Sequence, residues 1–344
     1  MGKYAEAEKL EIQVLNVRNR ILGVEHPDTI TAVANMAATH RNMGKLTEAE
    51  KLEIQVLDAS NRILGVEHPD TITAMANLAA TYRNMGKYME AEKLDFQVLG
   101  ARNRIFGVEH PYTINAMANL AAIYWNLGKF TKAEKLEIKV LDARNRILGV
   151  EHPDTITAMA NLTATYRNTG KFTEAEKLDI QVLDASKRIF GVEHPGTITA
   201  MANLAATCRN LRNFRKAEKL EIQVLNARNR ILGVEHPDTI RAMANIAATY
   251  QNMGKFTEAE KLEIQVLDAS NRIFGVEHPD TITAMANLAA TYRDMGKFTE
   301  AEMLEIQVLD VRNRILGVEH PLTINAMANL AVTYSRHPHN PCLP

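Results

Sequence analysis

The sequence predicts an all-α protein, an α-solenoid of antiparallel helix pairs, and three observations carry that prediction. The chain repeats itself every 42 residues: Gly44–Met85 differs from Gly254–Met295 only at Leu46/Phe256, Leu64/Phe274 and Asn84/Asp294. Copies start near residues 2, 44, 86, 128, 170, 212, 254 and 296, so that eight of them fill positions 1–337. Each copy holds two runs of apolar residues at helical spacing, and no segment shows the strict alternation of a strand. A period of roughly 20–50 residues marks stacked units, each of which buries its apolar side only against its neighbours.

The first helix of a copy is read from Asp70–Met85. Ile72, Met75, Leu78, Ala79 and Tyr82 recur at intervals of three and four and form one stripe. His68-Pro69-Asp70-Thr71 announces its start, since proline suits a first helical turn and Asp suits the positive end of the dipole. Gly86, in a left-handed conformation, stops it. The second helix runs from about Thr47 to Leu64, with a stripe of Ala49, Leu52, Val56 and Ile63 widened by Ile54 and Leu57. Gly65 ends it, and Val66 is expected to pack back on its last turn. The joint Leu211-Arg212-Asn213-Phe214 is irregular: Arg stands where Gly is expected, and Asn213, the more tolerant of left-handed backbone, is expected to take the turn one residue later.

The run Asn77-Leu78-Ala79, Tyr82, Gly86, Tyr88 and Ala91 resembles the tetratricopeptide repeat. The 42-residue period with its Gly-Val-Glu-His-Pro-Asp linker is similar to the long variant found in kinesin light chains and in the sensor arrays of fungal nucleotide-binding regulators. The resemblance spans nearly the whole chain. It implies a right-handed superhelix whose first helices line a concave groove for a protein or an extended peptide. One departure is regular: Glu53, Asp95 and Glu137 stand where the family often has an aromatic, which bears on local packing. By the same resemblance Asn35, Asn77, Asn119, Asn161, Asn203, Asn245, Asn287 and Asn329 are candidate clamps for a peptide backbone. Recent duplication would also copy one Asn eight times, and both readings stay open.

Other groove positions vary between near-identical copies. Thr73 becomes Asn115, Arg241 and Asn325, and Arg83 becomes Trp125, Gln251 and Ser335. The outer end of the second helix varies too (Arg18, Ser60, Arg102, Ser186), so variation is not confined to the groove. Arg41, Arg83, Arg167, Arg209 and Arg293 form a broken basic row, and paired Arg donors suit carboxylates, which points to a partly acidic partner or else to a solvated face. Trp125, the only tryptophan, lies about 100° round the helix from core Tyr124 and is expected to face the groove, as a binding hot spot or as filler between helices.

Composition excludes more than it assigns. Lys and Arg number 40 against 41 Asp and Glu, which argues against a nucleic-acid or membrane-surface role. Two cysteines, Cys208 and Cys342, have no metal or disulfide spacing and fit a reducing, cytoplasmic setting. Eight histidines recur once per copy, each before Pro, and read as structural rather than as metal ligands. Gly44-Lys45 and its equivalents lack the Ser or Thr of a phosphate loop. Glu48 and Glu50 read as a solvated face beside Lys51, and the sequon Asn161-Leu162-Thr163 falls inside a helix. No nucleophile has a base and an orienter, so no catalytic residue, metal or cofactor is expected. The chain starts on a second helix and ends on a first, with an irregular tail over 338–344, which reads as a piece of a longer protein or a shortened gene product.

The expected function is a non-enzymatic interaction scaffold, in particular the sensor array of a larger NTPase regulator. A cargo adaptor like kinesin light chain is the weaker variant, since no heptad coiled coil precedes the repeats. A self-associating structural array is the alternative from another class. Ligand identity and oligomeric state are not legible.

Overall fold

The computed structural model describes residues 2–336; the tail 338–344, with Cys342, lies outside them. Among the described residues there are sixteen α-helices and no strand, falling into two compact units divided after Lys171. The first unit holds α1 (Gly2–Leu22), α2 (Pro27–Asn42), α3 (Leu46–Leu64), α4 (Pro69–Asn84), α5 (Tyr88–Phe106), α6 (Pro111–Asn126), α7 (Phe130–Leu148) and α8 (Pro153–Asn168). The second holds α9 (Phe172–Phe190), α10 (Pro195–Asn210), α11 (Phe214–Leu232), α12 (Pro237–Asn252), α13 (Phe256–Phe274), α14 (Pro279–Asp294), α15 (Phe298–Leu316) and α16 (Pro321–Arg336). Within each unit every helix packs on the next across a short loop, which makes neighbours antiparallel. No described helix is long and apolar enough to cross a membrane.

The core is shared between copies. In the first unit Ile72 and Met75 of α4 meet Val98 and Ala101 of α5 and Ala116 of α6. Ile240, Met243, Val266, Ala269 and Ala284 repeat that cluster in the second. A single copy therefore holds only part of a core, and the 42-residue period is the period of a packing contact. The first-helix stripe is buried as expected at Ile72, Met75, Leu78 and Ala79. The second-helix stripe is narrower than expected. Ala49, Glu53, Val56 and Ala59 are buried, whereas Ile54 and Ile63 are exposed. Ile54 lies about 100° off the stripe, and Ile63 falls in the last turn.

The loops explain the recurring histidines. Each is an N-cap whose Nδ1 accepts the backbone N–H two residues on, as from Asp70 to His68 at 3.2 Å and from Asp154 to His152 at 3.1 Å. The same bond recurs at His26, His110, His194, His236, His278 and His320. The cap satisfies an otherwise orphaned helix-start donor, and proline follows in the first turn, where no N–H is needed.

The two glycine joints differ. Gly65 has φ 88° and ψ 162°, a region essentially closed to other residues, and it sends the chain away from the helix. Val66 is accordingly 63% exposed and does not pack back. Gly86 and its equivalents take φ between 69° and 77°. At the irregular joint Arg212 itself takes this role with φ 57°, and Asn213 does not. The register is held by Arg212 N donating to Arg209 O at 2.9 Å and Asn213 N donating to Cys208 O at 2.8 Å, the bonds Gly44 and Lys45 make at a regular joint. Asn213 instead caps α11, accepting from Lys216 N at 3.3 Å.

Charged side chains also tie one copy to the next. Lys87 donates to Glu50 at 2.8 Å and lies 5.5 Å from the Tyr82 ring centre. Glu50 is thus bound to the next copy and not to Lys51. Equivalent pairs are Lys45–Glu8 and Lys129–Glu92 in the first unit, and Lys255–Glu218 and Lys297–Glu260 in the second. At the irregular joint Lys216 reaches Glu176 instead, at 2.6 Å. A second series, such as Arg104–Glu67 and Arg146–Glu109, is exposed, and each such pair is worth little.

Candidate functional site

The regular acidic departure on the second helices is a buried anchor. Glu53 on α3, Asp95 on α5, Glu137 on α7, Asp179 on α9, Glu221 on α11, Glu263 on α13 and Glu305 on α15 are all buried within the apolar stripe. A carboxylate removed from water needs a partner. In most copies the partner is the side chain that opens the preceding turn of the repeat. Arg41 donates to Glu53 at 2.8 Å and to the Asn77 carbonyl at 3.2 Å. Arg209 does the same to Glu221 and Asn245, both at 3.2 Å, and Arg293 donates to Glu305 at 2.9 Å. Arg83 is paired with Asp95. The guanidinium groups of Arg41 and Arg209 thus each link three consecutive helices.

Burial pushes Glu53, Asp95 and Glu221 above the ordinary carboxylate range, and the arginines oppose that shift. Two copies lack the cation. Gln251 offers Glu263 an amide at 2.9 Å, and burial pushes that carboxyl up to about 7 against the favourable Thr291 hydroxyl. At the third position stands Trp125. Glu137 is only 7% exposed, its Oε2 has no hydrogen-bond partner, and burial raises it, with Glu134 adding to the shift and the Thr165 hydroxyl opposing it.

Trp125 leaves the core, as its place on the helix requires. It is 39% exposed and rests edge-on against Phe130, with ring centres 6.2 Å apart. Beside it an open pocket of about 280 Å³ is lined by Ala122, Trp125 and Asn126 of α6, Glu137 of α7, and Asn161 and Ala164 of α8. The structure thus brings together two of the predicted site residues, Trp125 and Asn161. Arg83 is not among its lining residues. Asn77 lines a different pocket, of about 200 Å³, with Ile30, Ala34, Ser60 and Thr73. Asn35, Asn287 and Asn329 are exposed, whereas Asn119, Asn203 and Asn245 are half-buried. Arg167 is half-buried as well.

Two structural roles escaped the sequence. The buried acids carried a signal, one carboxylate every 42 residues inside an apolar stripe. The varying outer end of the second helix also has a physical reading. Arg102 donates to the Tyr112 carbonyl at 3.1 Å and Arg144 to the Asp154 carbonyl at 2.9 Å, whereas Ser60 leaves the pocket at Asn77 open. Cys208 is buried, near Glu176, and its thiol is raised to about 11 by burial, which keeps it protonated. Among the described residues no three His, Cys, Asp or Glu side chains are placed to hold a metal ion.

No curated protein matches the chain in sequence. Among solved structures it is similar to a putative kinesin light chain with nearly identical TPR-like repeats from Podosopora anserina, at 27% identity and a TM-score of 0.54 over 60% of this chain and 99% of that one. BtubC (BKLC) from P. vanneervenii matches at 21% identity and a TM-score of 0.54 over 73% of this chain and 94% of that one. A signal transduction ATPase with numerous domains and a tetratricopeptide repeat sensor, PH0952 from Pyrococcus horikoshii, shares the fold at 14% identity and a TM-score of 0.62. That match covers 96% of this chain, which spans about half, 51%, of the larger protein. The tetratricopeptide repeat matches residues 1–28, 31–95, 73–144, 112–178, 161–230, 238–313 and 286–338. With those matches over nearly its whole length, and helix pairs recurring at a 42-residue period, the chain belongs to the tetratricopeptide repeat family.

Proposed function

We propose that this protein is a cytoplasmic interaction scaffold whose repeats, over 1–337, present their first helices to an extended peptide or a protein surface. The tetratricopeptide repeat fold supports a scaffold role, and the open pocket at Trp125 and Asn161 is the observation that carries the peptide reading. There an aromatic ring and an amide line one pocket, a combination able to hold an apolar or planar side chain and a main-chain group. The Asn row supplies the clamps.

The expectation of an acidic partner rested on the arginine row, and Arg41, Arg83, Arg209 and Arg293 are each paired with an internal carboxylate. Acidic recognition therefore falls to whatever donors those pairs leave free. Likeness in fold to the sensor-bearing ATPase favours service as the sensor array of a larger NTPase regulator. Selection from a displayed peptide library, followed by calorimetry, tests the reading. Trp125→Ala is expected to weaken the selected peptides more than tenfold with the melting temperature nearly unchanged; lost stability with affinity kept would make Trp125 a packing residue.

Exposed Leu10, Ile12 and Val17 on α1 and Leu322 and Ile324 on α16 favour a second reading, self-association. Light scattering that rises with concentration would support it.

A further inference from the structure

In four copies the buried carboxylate of the second helix is met by an arginine twelve residues earlier: Arg41 with Glu53, Arg83 with Asp95, Arg209 with Glu221 and Arg293 with Glu305. In the copy around Gln251 an amide takes that place. At Glu137 neither is present, because Trp125 occupies the position, and an open pocket of about 280 Å³ stands there. Glu137 is buried and lines that pocket; its Oε2 lacks a hydrogen-bond partner, as does the Oε2 of Glu53, Glu221 and Glu305, so what sets it apart is the absent guanidinium. A buried carboxylate without a countercharge is costly, and its complement is a cation with directed N–H groups. The other side of the pocket is an indole, the best aromatic partner for a guanidinium. Asn126, whose amide donates to the Ala122 carbonyl, and Asn161 also line it.

We propose that the pocket between Trp125 and Glu137 binds an arginine side chain of a peptide or protein ligand, which supplies from outside the guanidinium that the sister copies carry within. The proposal rests on the peptide-binding reading above and specifies its chemistry at one site. The guanidinium donates to Glu137, as Arg41 donates through Nη1 to Glu53, while its plane lies on the Trp125 ring. Charges on the neighbouring helices do not supply the missing cation. Glu134 on α7 has the wrong sign and is paired with Lys171, and the nearby group on α8 is the neutral Thr165. The raised carboxyl of Glu137 fits this account, since a bound cation would restore its charge.

The test uses the whole chain and the peptide acetyl-Gly-Arg-Gly-amide, with citrulline and glutamate versions as controls. The single tryptophan makes intrinsic fluorescence a local reporter. Saturable change with the arginine peptide, at least tenfold weaker with citrulline and lost in Glu137→Gln, is the expected result. Trp125→Arg, which restores the sister copies' internal pair, is expected to abolish binding as read by calorimetry while raising the melting temperature. Equal response to arginine and citrulline, or unchanged binding in Glu137→Gln, would overturn the proposal. In parallel, peptides from the displayed library separate the two levels: arginine-independent binders on the first helices sink this inference and leave the scaffold reading standing, whereas an absence of any peptide binder sinks both.

Discussion

Gln251→Arg tests the buried-carboxylate ladder in the copy where an amide stands in for the arginine. Glu263 is 4% exposed and its carboxyl titrates near 7 instead of the ordinary 4.5. One pKa unit corresponds to about 1.4 kcal/mol, so the charged form is disfavoured by about 3 kcal/mol in the fold. Because the folded value lies above the unfolded one, the native state binds the extra proton between pH 4.5 and about 7. The group's contribution is complete below 4.5 and is lost as pH climbs through 7. An arginine at 251 would reach Glu263 as Arg41 reaches Glu53, at 2.8 Å. Glu53 remains raised by burial even with its arginine, so only part of the cost is recovered, about 1–2 kcal/mol at pH 8. Carbon NMR of the Glu263 carboxyl should show its midpoint fall in the variant. Calorimetry should show a higher melting temperature at pH 8 and little difference at pH 5. An unmoved midpoint, or a gain equal at both pH values, would refute the reasoning.

Three further perturbations address the frame. Arg212→Gly removes a left-handed non-glycine residue with φ 57° and should stabilise by about 0.5–1 kcal/mol, read as a shift in urea midpoint. Gly65→Ala, at φ 88° and ψ 162°, should cost about 1–3 kcal/mol although an added Cβ meets no atom within 4 Å, because the cost is backbone strain. His236→Ala removes the α12 cap and should cost about 0.5–2 kcal/mol, seen as faster amide exchange in the first turn of that helix.

The helix pairs were legible because duplication copied the signals from copy to copy: Pro at each first-helix start, Gly after the helices except at Arg212, and stripes at helical spacing. What escaped were side-chain partners. Glu53 read as a departure from a family pattern, and only three-dimensional packing shows it under Arg41. Arg41 read as a donor awaiting a ligand for the same reason: sequence spacing does not reveal that α3 brings a carboxylate beneath it. The Lys87–Glu50 pair spans 37 residues and crosses copies, beyond the local reach of helix spacing rules. Trp125 was placed correctly because one residue of rotation from Tyr124 suffices to take it out of the core. Arg212 was misassigned because the turn's register is set by backbone bonds from both flanking helices, which outweigh the preference of Asn213 for the left-handed region.

The central claim is that the first helices carry the binding face, and amide exchange with a selected peptide tests it most directly. Peptide-dependent slowing should map to α4, α6 and α8, strongest around Trp125 and Asn161, and should leave the outer sides of α3, α5 and α7 unchanged. Slowing confined to the second helices, or no slowing with a peptide that binds at saturating concentration, would contradict the account.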